Sequence, residues 1–105
     1  MRRAARVDAN QREIVAALRQ AGVSVQPLHT VGKGCPDLLC GVRGTNLLIE
    51  IKDGQKVPSA RKLTPDEAAW HQSWRGQVAI VESVDDALRL VGLEPLDELE
   101  DGLPD

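Results

Sequence analysis

The sequence predicts a single α/β domain with the element order helix, three strands, helix, strand, helix. Three observations predict it. Apolar residues recur at helical spacing after Asp8, two short apolar runs flank a Gly-containing turn in the middle of the chain, and helix-start signals stand at Thr64 and Ser83. With 105 residues there is room for one domain, assigned to residues 1–93, and a chain of this size buries a core without disulfides or structural zinc.

Asp8 followed by Gln11 resembles a capping box, and Ile14, Val15, Leu18 and Ala21 then repeat on one face until Gly22, which predicts a helix over about residues 9–21. Glu13 falls at the edge of that stripe, so an ordinary surface glutamate is the simplest reading of its position. Val23 to His29 alternates weakly and contains Pro27, as suits an edge strand. A loop, Thr30-Val31-Gly32-Lys33-Gly34, leads to two strands, Asp37 to Val42 and Leu47 to Lys52, joined by the turn Arg43-Gly44-Thr45-Asn46. Thr64-Pro65-Asp66-Glu67 combines a Thr cap, Pro at the first helical position and Glu at the third, which starts a second helix running to about Arg75. Gln77 to Val81 reads as a buried strand, and Ser83 with Asp86 opens a third helix through Leu90 that stops at Gly92.

The middle hairpin carries the chemistry. Asp37, Glu50 and Lys52 stand among apolar neighbours, and a buried charge is costly unless it is paired or coordinates a metal. Glu50 and Lys52 project to the same side of their strand. Pairing Val42 with Leu47 across a four-residue turn sets Asp37 opposite Lys52 and diagonal to Glu50, so all three share one face. Two neighbouring carboxylates repel unless a cation sits between them. Oxygen donors from Asp37, Glu50 and the Ile51 carbonyl select Mg²⁺, with Mn²⁺ as substitute, and Lys52 is placed to stabilise negative charge on phosphorus. That combination points to phosphodiester hydrolysis.

Pro36-Asp37 followed by Glu50-Ile51-Lys52, with Glu13 upstream on a helix and the element order above, resembles the PD-(D/E)XK nuclease superfamily over residues 8–92. Within it the layout is most similar to the phage and bacterial VRR-NUC group, which is related to Holliday-junction resolvases. The resemblance implies a restriction-endonuclease-like core with a mixed four-stranded sheet flanked by helices. It implies metal ligation by Asp37 and Glu50, a catalytic Lys52, and a Glu13 that positions metal or water. It also implies a DNA endonuclease acting on junctions or other branched DNA, and a symmetric homodimer is expected because so small a domain has little surface for a junction. Members often carry a glutamine early in the helix after the motif strand, where this chain has Glu67, read here mainly as the reciprocal half of a capping box.

Charge is unevenly spread. Residues 1–62 hold eleven Lys and Arg against five Asp and Glu, a surplus of +6, whereas residues 63–105 hold two against eleven, or −9. Lys33, Lys56, Arg61 and Lys62 are the candidate phosphate track, and phosphate contacts carry no base information, so structure-selective cutting is expected. Residues 94–105 hold six acids and no base and read as a solvated tail. Two competing functions are a catalytically inactive nucleic-acid-binding module of the same fold and an interaction protein acting through that tail. Aromatic content is 2%, Trp70 and Trp74 alone, four apart on one helix face, where they suit core or dimer anchors better than base stacking. Cys35 and Cys40 lack zinc-ligand spacing and read as small buried thiols. No stretch is long enough to span a membrane and no signal-peptide core is evident, so a cytoplasmic location is expected.

Overall fold

A computed structural model of the chain describes residues 9–92. The elements run α1 (Gln11–Gln20), β1 (Ser24–Pro27), β2 (Leu38–Val42), β3 (Thr45–Ile51), a short 3₁₀ turn (Pro58–Arg61), α2 (Pro65–Ser73), β4 (Val78–Val81) and α3 (Val84–Leu90). The α/β order read from the sequence is the order observed, with the 3₁₀ turn added where a loop was expected. The acidic segment 94–105 and the Asp8 cap lie outside the described residues.

The four strands form one sheet in chain order. β1 with β2 and β2 with β3 are antiparallel, and β3 with β4 is parallel, as a strand–helix–strand crossover through α2 requires. Alternation along β3 then sorts the layers. Ile49 and Ile51 face a core with Ile14 and Leu18 of α1, Leu38 and Cys40 of β2, Val81 and the Ala87 of α3. Glu50 faces the other way, toward α2. β4 lies at the sheet edge, so of the strand expected to be buried Val81 is buried while Ile80 is exposed.

The β2–β3 register corrects the expected pairing by two residues. Val42 pairs with Thr45 and Leu38 with Ile49, so the connection is the two-residue turn Arg43-Gly44 and Asp37 comes opposite Glu50 instead of Lys52. Both turn residues have positive φ, +50° and +76°, the conformation of a type I′ hairpin whose twist matches the flanking strands. A shift of two preserves parity, so the faces do not change.

Helix α1 starts two residues later than expected. Its N-cap is Asn10, whose side chain caps nothing in the helix and instead donates to Lys52 O at 3.1 Å and Glu82 O at 3.2 Å. The start of α1 is thereby tied to the chain just beyond β3 and β4. α2 has the anticipated capping box at Thr64 and Glu67, and α3 is capped by Ser83 Oγ accepting from the Asp86 amide. α2 buries no residue completely, and neither tryptophan joins the core: Trp70 is half-buried and Trp74 exposed. Among the described residues no helix is long and apolar enough to cross a membrane.

Candidate active site

Asp37 lies one residue before β2 and is fixed by the sheet. Its amide donates to Ile49 O at 3.0 Å, its carbonyl accepts from the Leu28 amide at 2.7 Å, and its Oδ2 accepts from the Ile51 amide at 2.7 Å. The carboxylate thus takes over a backbone donor beyond the last ladder pair, which leaves its other oxygen on the Glu50 side. The lead-in loop is held against α2. A Cβ on Gly34 would lie 2.3 Å from Asp66 O, and φ of +83° at that position already favours glycine.

Glu50 is 2% exposed. Its Oε1 has no hydrogen-bond partner, and neither has the buried Nε2 of His71, 3.5 Å away. Burial, then the charge of Asp37 and a hydrogen bond shared with it, then the charge of Glu67, push the Glu50 carboxyl up to about 9, against an opposing pull from Lys52. Burial and the neighbouring Asp37 thus favour the protonated form of Glu50 in the metal-free site. Cys35, expected to be buried, is only half-buried, and burial, Glu50 and Asp37 raise its thiol, which disfavours the thiolate a nucleophile needs. Cys40 is fully buried and pushed up by burial to about 11, as an inert core thiol.

Lys52 is 11% exposed at its side chain, and its ammonium donates to Glu67 Oε1 at 2.7 Å. That same oxygen accepts from the Thr64 amide at 2.9 Å, so the capping-box role and contact with the site coexist in one residue. Burial pushes the Glu67 carboxyl up, but the hydrogen bonds from Lys52 and Thr64 and the Lys52 charge outweigh it and leave it below its ordinary value. Glu67 and His71 are four apart on one face of α2 and bring that helix to Lys52 and Glu50 respectively.

The structure thus gathers Asp37, Glu50 and Lys52, with Ile51 supplying the amide that orients Asp37. His71 was missed as a site residue, because the sequence signals where α2 begins but not which of its faces meets the sheet. Glu13 is exposed on α1 and lines a cavity of about 710 Å³ with Asn10, Asp53, Gly54, Gln55 and Glu82. Of the candidate phosphate contacts, Lys33, Lys56 and Lys62 are exposed in loops, while Arg61 donates to Glu82 at 2.9 Å.

Among the described residues no group of three or more His, Cys, Asp and Glu side chains is arranged to hold a metal ion. The two facing carboxylates nevertheless suit a hard divalent cation. The Glu50 carboxyl is buried beside a second carboxylate and one of its oxygens, 3.5 Å from His71 Nε2, makes no hydrogen bond, and a bound cation removes both penalties. Asp37 and Glu50 would hold it with backbone carbonyl, water or phosphate oxygens completing the shell.

A solved structure described as a VRR_NUC domain superimposes on 92% of this chain and 100% of its own length, with a TM-score of 0.56 and 21% sequence identity. The chain has the VRR_NUC fold. No family model matches its sequence, and no curated protein does. Within this VRR_NUC-like fold the pair of facing carboxylates lies where β2 begins and β3 ends, under α2.

Proposed function

We propose that this domain is a metal-dependent nuclease that hydrolyses phosphodiester bonds in DNA. The observation that carries the reading is the buried Glu50 carboxyl, one oxygen of which has no hydrogen-bond partner, set beside Asp37 and within reach of the Lys52 charge. The name of the similar structure, a VRR_NUC domain, agrees with it.

In this reading Asp37 and Glu50 hold Mg²⁺ or Mn²⁺, with the Ile51 carbonyl as a further oxygen donor. The cation supplies Lewis acidity toward a phosphoryl oxygen. Lys52, oriented by Glu67, places a positive charge where negative charge develops on phosphorus, and little reorganisation is needed because the ion pair already fixes its ammonium. Glu13 enters this reading only through the family resemblance, since the cavity it lines includes none of Asp37, Glu50 and Lys52. Lys33, Lys56 and Lys62 contact the DNA backbone, while Arg61 stays paired with Glu82 at the edge of that track. Branched DNA is the proposed substrate and a symmetric homodimer the proposed acting form, since so small a domain has little surface for a junction.

The test is incubation of the purified chain with labelled linear, flap and four-way DNA in Mg²⁺ or Mn²⁺, with EDTA as control. Cleavage that requires the divalent ion and favours branched DNA is expected. Metal-independent binding of all three DNAs without cleavage would instead make this an inactive binding module.

A further inference from the structure

Trp70 and Trp74 form a stacked pair, with ring centroids 4.7 Å apart and planes inclined by 19°. Their placement is not that of a core. Trp74 is 45% exposed, and Trp70 is half-buried with its ring edge-on to His71 at a centroid distance of 6.1 Å. Glu67, Trp70, His71 and Trp74 follow one another at spacings of three, one and three, which puts them on one face of α2 and its cap, spanning about 10 Å of helix. The first of them binds Lys52 and the third faces Glu50. The exposed indole is therefore the outward end of the same wall that borders the carboxylate pair.

The outer indole is also held in place. A Cβ on Gly76 would lie 2.8 Å from Trp74 Nε1, so the turn after α2 closes onto the ring, and the stack on Trp70 fixes it further. A rigid exposed aromatic on the helix that also reaches the carboxylate pair suits stacking on a nucleobase, because every base has a π-face and stacking tolerates any sequence. A base inside a duplex has no free face, so the base must be unpaired. Exposed Arg75, the adjoining residue, and exposed Lys62, just ahead of α2, supply positive charge for the phosphates of such a strand.

We propose that Trp74, backed by Trp70, is a stacking platform for an unpaired DNA base held about 10 Å along α2 from the Lys52–Glu67 pair, so that the site acts on DNA with a single-stranded segment. The proposal rests on the nuclease reading for its substrate but is testable by binding alone.

The chain has two tryptophans, so its intrinsic emission reports this stack directly. The full chain is titrated in EDTA with a single-stranded oligonucleotide, a gapped duplex and a blunt duplex of equal length, following tryptophan emission and the emission of a 2-aminopurine in the unpaired segment. Quenching by single-stranded and gapped DNA is expected. Trp74→Ala should weaken binding to those two by about tenfold and leave blunt-duplex affinity unchanged, and Trp74→Phe should recover most of the loss. Equal affinity of Trp74→Ala for gapped and blunt DNA, or unquenched emission, would overturn the platform. So would a dimer, seen by sedimentation, that dissociates in Trp74→Ala, since a second copy would then cover the indole. Absence of cleavage with the quenching intact would remove the nuclease reading and leave the platform, whereas cleavage unaffected by Trp74→Ala would do the reverse.

Discussion

Replacing Glu50 by Gln tests the carboxylate pair by its effect on folding. In the metal-free protein the folded-state carboxyl is raised from 4.5 to about 9 by burial and by Asp37. Below pH 4.5 both folded and unfolded chains hold the proton and the site is neutral in its effect. Above that value the unfolded chain releases its proton while the folded one retains it, so the folded state binds more protons and stability falls with rising pH until about 9. The slope approaches 1.4 kcal/mol per pH unit, which makes the loss at pH 7 on the order of 3 kcal/mol. Gln keeps the shape, cannot ionise, and can donate its amide to Asp37. Urea unfolding in EDTA between pH 5 and 9 should therefore show wild type losing stability relative to Glu50→Gln as pH rises, the variant being the more stable protein at pH 7. Added Mn²⁺ should restore wild type and leave the variant unmoved, because a cation at the pair replaces the proton. Two parallel curves in EDTA, or equal stabilisation of both proteins by Mn²⁺, would refute the argument.

Lys52→Met should leave Mn²⁺ binding intact by calorimetry and slow single-turnover cleavage by about a hundredfold or more, since the charge is needed chiefly as the transition state forms. Gly34→Ala should destabilise the domain by about 3 kcal/mol or more in thermal unfolding, because the added carbon meets the Asp66 backbone and the residue also leaves its positive-φ conformation. Arg61→Ala with Lys62→Ala should lower the slope of log affinity against log salt by about one rather than two, because Arg61 is engaged with Glu82 and Lys62 is the freely exposed charge of the two. Binding isotherms at several salt concentrations decide it.

Much of the fold was legible because its punctuation is local. Thr64-Pro65 and Ser83 start helices through their own hydrogen bonds, and Gly22 and Gly92, both at positive φ, end them. The hairpin was legible in parity but not in register. Arg43-Gly44-Thr45-Asn46 admits a four-residue turn or the two-residue turn observed, and nothing in the strands distinguishes pairings that differ by two. What brings Asp37, Glu50 and Lys52 together survives that ambiguity, whereas the partner directly across from Asp37 does not. His71, the exposure of Trp74 and the Arg61–Glu82 pair depend on how α2 and the loop before it settle against the sheet. The weak apolar character of α2 leaves no stripe from which to read that packing. Asp8 was read as the cap of the first helix, whereas the observed N-cap Asn10 makes bonds that span 42 and 72 residues, beyond the reach of local pattern.

One oxygen of Glu67 serves both the first turn of α2 and the ammonium of Lys52. Unwinding of that turn therefore also displaces the carboxylate that holds the lysine. Amide exchange at Glu67 and Ala68, whose protons are held by Thr64, would time the opening of the turn that carries the lysine's partner, with no substrate present. Substitutions that only strengthen the helix start would then slow that opening, which makes the sequence around Thr64 a dial on the partner of Lys52 from outside the site.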